Sequence, residues 1–101
     1  MQATIGDVIV AAIPDDQIIR IEGNDYFPPS SIAREFFTTS QSAYTCPWKG
    51  PAPYWDLSTP AGVFADAAWS YPDLSDGAAQ RVGQDFTGYV AFDPSQVTVT
   101  S

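Results

Sequence analysis

The residues best suited to chemistry in this chain lie close together in segment 43–55, Ala-Tyr-Thr-Cys-Pro-Trp-Lys-Gly-Pro-Ala-Pro-Tyr-Trp. This segment contains the only cysteine, Cys46, the only lysine, Lys49, and two of the three tryptophans. A lysine amine can act as a base, a nucleophile or an anion ligand, and a cysteine can act as a thiolate nucleophile. The segment is therefore the predicted centre of a functional site.

Lys49 is the strongest candidate for a catalytic or ligand-binding group. It directly follows Trp48, and Tyr54 and Trp55 are close by in sequence. If the segment folds into a cleft, desolvation is expected to lower the pKa of Lys49 and free its amine for proton transfer or nucleophilic attack. The alternative is a structural lysine, whose alkyl chain packs on tryptophan while its ammonium group stays in water.

The sequence leaves two interpretations of Cys46 open, and it is the second catalytic candidate. Lys49 could lower the pKa of its thiol and make it reactive. Alternatively, Cys46 is a small buried hydrophobic residue, which is the more common state of a lone cysteine. On an extended strand Cys46 and Trp48 would share one face and Lys49 would point to the other. A redox activity is the weakest hypothesis, because no second cysteine is present.

Aromatic residues around this segment could line a pocket for a flat or sugar-like ligand. Seven of the fourteen aromatic residues lie between positions 44 and 71, and ligand pockets favour aromatic walls with a few polar groups. The predicted ligand-binding residues are Tyr26, Trp48, Tyr54, Trp69 and Tyr71. The same residues could instead form the core of a small β-domain.

Three carboxylates lie near this region in sequence: Asp56, Asp66 and Asp73. A carboxylate that faces Lys49 would form an acid–base pair with it. No spacing shows that any of the three meets Lys49, and solvated acids at strand ends are the alternative.

Composition argues against several classes of function. Twelve acidic residues against four basic ones give a net charge of −8, so the chain lacks the basic surface that binding to nucleic acid or an anionic membrane requires. Histidine is absent, which excludes histidine-dependent catalytic triads and imidazole metal ligands. An all-oxygen site for a hard cation remains open, but no EF-hand spacing is present, and neither a metal site nor a cofactor is predicted.

The N-terminal sequence gives an expectation for location. It does not contain a basic stretch followed by an apolar one, as a secretory signal would. The longest apolar run, residues 8–13, is far too short to span a membrane. The sequence therefore predicts a cytoplasmic protein.

Short strands and turns must position these residues, because nine prolines and seven glycines disfavour a helical bundle. After a loose N-terminal segment 1–6, the predicted strands cover 8–13, 17–22, a segment ending near 46, 54–57, 63–71, 86–92 and 97–99. The first two strands are expected to pair as one hairpin. A second hairpin turns at Lys49-Gly50, and Pro51 and Pro53 place the start of its return strand at a sheet edge or a bulge.

Two short helical segments complete the expected organisation. Residues 32–37 form a helix that Ser30 or Ser31 caps, and residues 78–82 form one helical turn that Gly83 closes. The sequence therefore predicts a single domain over residues 1–101 that is mainly β (α+β), with small curled antiparallel sheets and one or two short helices.

Five motifs together resemble the DUF427 family, and the resemblance spans about residues 6–99. They are Tyr26-Phe27-Pro28, Thr45-Cys46-Pro47-Trp48-Lys49-Gly50, Ala52 with Tyr54-Trp55, Ala68-Trp69-Ser70-Tyr71-Pro72, and Gly88-Tyr89-Val90-Ala91-Phe92. The resemblance implies a small β-rich fold, similar to the β-tent (Mss4-like) arrangement. It implies no function, because the family is named for lacking one.

Some catalogues attach a nucleotidyltransferase label to this family, and the sequence departs from that label. It has no glycine-rich phosphate cradle, and four bases are few for a triphosphate. Segment 49–52, Lys-Gly-Pro-Ala, is not the Lys-x-Asp-Gly of enzymes that form a lysine–nucleotide adduct. Zinc-binding relatives of the fold use paired cysteines, whereas Cys46 stands alone, so no structural zinc is expected.

Two functions from different classes follow, and the sequence does not decide whether the protein is an enzyme. The first is a pocket for an unknown small molecule, binding or catalytic, in which Lys49 supplies charge or proton transfer, the tyrosines hydrogen bonds, and the tryptophans apolar walls. The second is a non-catalytic module that presents exposed aromatics to a protein partner. A contiguous exposed apolar patch would indicate the second function.

Overall fold

Three antiparallel sheets make up most of the computed structural model, which describes residues Met1–Ser101. The first sheet joins β1 (Gln2–Ile5), β2 (Val8–Ala12) and β9 (Thr98–Thr100) in the order β2-β1-β9. Ala3 and Ile5 alternate inwards and are buried. The prediction that residues 1–6 are loose was wrong, because β1 has a partner strand on each side.

The second sheet is a hairpin of β3 (Ile19–Ile21) and β4 (Asn24–Tyr26). The predicted hairpin of residues 8–13 with 17–22 was therefore wrong, since β2 pairs with β1 and β3 pairs with β4. A 3₁₀ turn, Asp15–Gln17, follows Pro14 and separates β2 from β3. Two residues, Glu22 and Gly23, connect β3 to β4.

The third sheet carries most of the predicted site. It contains β5 (Phe37–Cys46), β6 (Gly50–Thr59), β7 (Gly62–Ser70) and β8 (Val90–Phe92) in that order. The hairpin predicted at Lys49-Gly50 is confirmed, because Cys46 pairs with Gly50 across it.

The prolines of β6 lie where the sequence places them. Pro51 and Pro53 pair with residues of β5, whereas the pairing of β6 with β7 begins only at Tyr54. The first part of β6 is therefore an edge of the sheet, where a missing backbone N–H does no harm.

The predicted helix at residues 32–37 was wrong. The segment contains short 3₁₀ turns, Pro29–Ser31 and Arg34–Phe36, and Phe37 already belongs to β5. Between them Ile32 bridges to β2, and the Ala33 N–H donates to the Val10 carbonyl over 2.8 Å. A helix this short is marginal by itself, so these long-range backbone bonds decide the local structure.

The second helical prediction is confirmed. Helix α1 is Ala78–Val82, and Gly83 ends it with a left-handed φ of 89°. The strand predicted over residues 86–92 is shorter than expected, because the Tyr89 N–H bonds back to the Phe86 carbonyl and only β8 remains extended.

The fold class is confirmed as mainly β, with small antiparallel sheets and one short α-helix. Its buried residues form two clusters. The first packs β1 and β2 against the third sheet. The second includes Tyr26, Cys46, Tyr71 and Phe86, so part of the predicted site lies in the core. None of the helices is long and apolar enough to cross a membrane.

Candidate functional site

The loop between β5 and β6 places Lys49 inside an aromatic enclosure. Residues 47–49 form a turn, so the strand alternation expected for Cys46, Trp48 and Lys49 does not apply. The Lys49 Nζ lies 5.1 Å from the ring centroid of Trp48 and 5.1 Å from that of Tyr71. Only 5% of Lys49 is exposed, so the alternative of a lysine with its ammonium group in water does not hold.

The carboxylate that faces Lys49 is Glu22, which the sequence analysis missed. The Lys49 Nζ donates a hydrogen bond to Glu22 Oε1, and the two side chains form an ion pair. The Glu22 side chain is 56% exposed, whereas that of Lys49 is 6% exposed. The ion pair therefore joins a buried ammonium to a carboxylate at the surface.

This ion pair determines the protonation of Lys49. Burial lowers the pKa of Lys49, but the hydrogen bond with Glu22 and interactions with Tyr26 and Cys46 outweigh it, and the pKa is raised above its ordinary value of 10.5. The expected lowering of the Lys49 pKa was therefore wrong. With its pKa raised, Lys49 carries a positive charge at neutral pH.

A second cation contacts the same tryptophan. The Arg81 Cζ, from α1, lies 4.4 Å from the ring centroid of Trp48. The hydrogen bond from Lys49 is the main cause that lowers the pKa of Glu22, and the charges of Lys49 and Arg81 add to it. Two of the four basic residues of this acidic chain thus lie over one indole ring, and one of them pairs with Glu22.

The three aspartates nearest in sequence are not the partner of Lys49. The Asp56 Oδ1 accepts a hydrogen bond of 2.8 Å from the Asp66 N–H. The hydroxyls of Ser40 and Ser42 donate to the Asp66 carboxylate and lower its pKa. Asp73 contributes its backbone next to Gly50. No group of three or more Cys, Asp or Glu side chains is arranged to hold a metal ion.

Tyr26 and Tyr71 form the buried side of the site. Tyr26 is 1% exposed and Tyr71 is 3% exposed, and their ring centroids lie 6.4 Å apart. The Trp69 Nε1–H donates to the Tyr26 hydroxyl over 3.1 Å. Burial raises the pKa of Tyr26 and of Tyr71, so both hydroxyls stay protonated at neutral pH.

Tyr54 and Trp69 extend this aromatic series towards the surface. They lie opposite each other in the β6–β7 pairing, and their ring centroids are 6.0 Å apart. All seven predicted site residues belong to one connected cluster: Tyr26, Cys46, Trp48, Lys49, Tyr54, Trp69 and Tyr71.

Cys46 is a buried structural residue in this arrangement. It is 6% exposed, and its Sγ accepts a 3.4 Å hydrogen bond from the Lys49 backbone N–H. The buried interpretation of Cys46 is therefore confirmed. The thiol helps to close the three-residue loop that carries Lys49.

Gly50 fixes the backbone of Lys49 against the loop before α1. The Ser75 N–H donates to the Lys49 carbonyl over 3.0 Å. Gly50 has a φ of +114°, and a Cβ atom there would lie 2.8 Å from the Asp73 carbonyl oxygen. A glycine follows Lys49 because no side chain fits between the two segments.

The site is closed in this structure, unlike the open pocket that the sequence predicted. The largest concave surface, about 580 Å³, lies between the chain termini and the end of β2. A smaller one, about 120 Å³, is lined by Ile32, Arg34, Phe37 and Trp55, and the third lies at the end of α1. A ligand would therefore have to displace a side chain to reach Lys49.

Exposed large hydrophobic residues are few and dispersed. They are Ile9 on β2, Tyr44 on β5 and Val63 on β7, which are 50%, 52% and 70% exposed. Tyr44 is the one aromatic residue among them. This distribution gives little support to a module that presents several exposed aromatics to a partner.

Comparison with known proteins identifies a family. The family model described as "Domain of unknown function (DUF427)" matches residues 4–101, so the resemblance seen in the motifs is confirmed over nearly the whole chain. No curated protein matches the chain.

Proposed function

The chain belongs to the DUF427 family, and we propose that it binds a small anionic molecule through Lys49. The observation that carries this proposal is the position of the Lys49 ammonium. It is held between Trp48 and Tyr71, and its one ion-pair partner is the exposed carboxylate of Glu22. A cation that is held by aromatic rings and paired only with one exposed side chain is suited to receive an anion.

Stability alone is a weak explanation for a lysine at this position. Moving an ammonium group out of water is costly, and an ion pair in the interior often contributes no more stability than well-packed apolar side chains would. Position 49 is surrounded by Trp48, Tyr71 and the rest of the aromatic cluster. A methionine would suit this environment, so the charge of Lys49 points to binding.

Arg81 strengthens the case for an anion. It lies over the face of Trp48, and its charge helps to lower the pKa of Glu22. The protein carries a net charge of −8, so its overall field does not attract anions. Recognition must therefore come from direct contacts with Lys49, Arg81 and the indole of Trp48.

The protonation states favour binding over catalysis. Lys49 is charged, the pKa values of Tyr26 and Tyr71 are raised, and Cys46 is buried. These groups can donate hydrogen bonds and pair with charge, but they do not include a ready base or nucleophile. The catalytic form of the pocket hypothesis therefore has the weaker support.

Backbone amide NMR tests this proposal. The protein is titrated with acetate, benzoate, inorganic phosphate, a nucleoside monophosphate and glucose at constant ionic strength. We expect saturable shifts from one or more of the anions, none from glucose, and the largest changes near Glu22, Lys49 and Tyr71. Lys49→Met should lose these shifts while it stays folded, and Arg34→Met, which removes an exposed charge elsewhere, should keep them.

The opposite result has a clear meaning. If no compound shifts any signal in the wild-type protein, or if Lys49→Met binds as well as the wild type, then Lys49 is not an anion site. The remaining hypothesis would be the protein-interaction module, and its partner would have to contact the surface that includes Tyr44.

A further inference from the structure

The turn that presents Glu22 has an unusual residue at its first position. Glu22 and Gly23 form the two-residue connection of the β3–β4 hairpin, with φ values of 52° and 83°. Two successive positive φ values define a type I′ turn, whose first position favours Asn, Asp or Gly. A glutamate there is conformationally unfavourable, so the turn itself gives no reason for its presence.

The surroundings of the Glu22 carboxylate explain it better. Lys49 donates a hydrogen bond to it and forms an ion pair with it, and the nearby positive charge of Arg81 helps to lower its pKa. These groups come from the β5–β6 loop and from α1. The Lys49 ammonium, with the Arg81 guanidinium on the same Trp48 ring, forms a carboxylate-binding site that Glu22 occupies.

We propose that Glu22 is an internal ligand, and that a small molecule carrying a carboxylate binds by displacing Glu22 from Lys49. This inference rests on the proposed function and names its ligand class. The displacement exchanges one carboxylate for another, so the buried ammonium of Lys49 keeps a partner throughout.

Few contacts hold the Glu22 carboxylate next to Lys49. Its side chain is 56% exposed, and its carboxylate accepts one side-chain hydrogen bond, from Lys49. Rotation of the side chain therefore moves the carboxylate into water without disturbing the buried tyrosines. The opening that it leaves is bounded by the half-buried ring of Trp48, which suits an apolar body attached to the incoming carboxylate.

A carboxylate fits the site better than a phosphate dianion. Lys49 makes the single direct ion pair, and Arg81 lies over the Trp48 ring. A dianion would need more direct cationic contacts, and it would be repelled by a protein of net charge −8. Benzoate, with one negative charge and a flat apolar ring, is therefore the probe of choice, and inorganic phosphate is the comparison.

The test compares benzoate affinity in the wild-type protein, Glu22→Gln and Glu35→Gln by NMR titration at neutral pH. Glu22 and Glu35 are the only glutamates, and Glu35 is exposed on a different turn, so Glu35→Gln is matched in charge. Because a tethered carboxylate competes at a high effective concentration, Glu22→Gln should bind benzoate about tenfold or more tightly than the wild type. Glu35→Gln should match the wild type.

A second variant and a second NMR signal keep the test decisive if Glu22→Gln does not fold. Glu22→Asn also removes the carboxylate, and asparagine is favoured at the first position of a type I′ turn, so this variant should fold even if Glu22→Gln does not. In the wild type, saturating benzoate should release the Glu22 carboxyl, and its NMR titration should return towards the ordinary pKa of 4.5.

Each contrary result has its own meaning. Equal benzoate affinity in the wild type and both Glu22 variants, still lost in Lys49→Met, would overturn displacement and leave anion binding at Lys49 intact. Tighter binding of phosphate than of benzoate by the Glu22 variants would overturn the ligand class. If benzoate and phosphate bind to none of these proteins, the inference and the proposed function both fail.

Discussion

Lys49 and Glu22 form an ion pair although 27 positions separate them in the sequence. The pair connects the loop between β5 and β6 to the turn between β3 and β4. The two residues differ in environment. Aromatic packing holds the lysine in the interior, whereas the glutamate lies at the surface, in a turn whose backbone conformation is unfavourable for it. We interpret the lysine as the fixed part of a binding site and the glutamate as its replaceable occupant.

The ion pair should make stability depend on pH in a defined window. The lowered pKa of Glu22 means that its contribution is present above the ordinary value of 4.5 and is lost as the pH falls through its pKa in the folded protein. The raised pKa of Lys49 means that its contribution is present below 10.5 and is lost as the pH rises through its folded-state pKa. In urea unfolding, the free energy of unfolding of the wild type should therefore exceed that of Glu22→Gln by the largest amount between these two pH limits.

Glu35→Gln is the control for this experiment, because it removes an exposed glutamate that has no ion-pair partner. Its difference from the wild type should depend on pH much less. A stability difference for Glu22→Gln that stays constant from acid to alkaline pH would show that the ion pair is not formed in solution.

Replacing Gly50 by alanine should destabilise the protein through a steric clash. The new Cβ atom would lie 2.8 Å from the Asp73 carbonyl oxygen, and the backbone there already has a φ of +114°. Gly62→Ala is a matched control, since Gly62 has a φ of +128° with no atom within 4 Å of its Cβ position. We expect Gly50→Ala to lower the free energy of unfolding by about 1–3 kcal/mol more than Gly62→Ala does.

Equal losses in the two variants would mean that the positive φ alone makes glycine necessary at position 50. The loop of residues 73–75 would then not hold the backbone of Lys49 in place, and the site would be less rigid than the structure indicates.

The hydroxyl of Tyr26 should contribute more to the free energy of unfolding than an exposed tyrosine hydroxyl does. Tyr26→Phe removes the acceptor of the Trp69 Nε1–H and leaves this half-buried donor unpaired. The expected loss is about 1–2 kcal/mol in the free energy of unfolding. Tyr44→Phe, at a side chain 52% exposed, should change stability little, and a similar loss in both variants would contradict the hydrogen bond.

Cys46 should react slowly with thiol reagents while the protein is folded. Its Sγ lies in the interior, next to the Lys49 backbone N–H, so the reagent must wait for local or global unfolding. Labelling with a chromogenic disulfide should be slow in native buffer and fast in denaturing urea. Rapid, complete labelling of the native protein would restore the hypothesis of a reactive thiol.

The sequence was most informative where local signals agree. The Lys49-Gly50 hairpin was predictable because a glycine and two prolines limit the conformations of the return strand, and the helical turn of α1 was predictable from Gly83. The strands predicted over residues 54–57 and 63–71 correspond to parts of β6 and β7, whose pairing places Tyr54 opposite Trp69.

The sequence was least informative where long-range contacts decide the structure. A helix was predicted for residues 32–37, but the hydrogen bond from Ala33 to Val10 and the bridge of Ile32 to β2 replace it. Glu22 was missed as the partner of Lys49 because no spacing relates two different hairpins. Residues 23–25, Gly-Asn-Asp, are a turn signal in the sequence, but the turn is Glu22-Gly23, and the next two residues already belong to β4. An acid directly before a glycine was the only local signal.

The most direct test of an anion site at Lys49 uses the fact that the chain has one lysine. Protein labelled with ¹⁵N-lysine gives a single side-chain ammonium signal, which can be followed as benzoate is added. Binding as we propose it predicts a saturable shift of the Lys49 Nζ signal, with a midpoint that matches the backbone shifts near Glu22. An Nζ signal that stays unchanged at saturating benzoate would contradict the proposal.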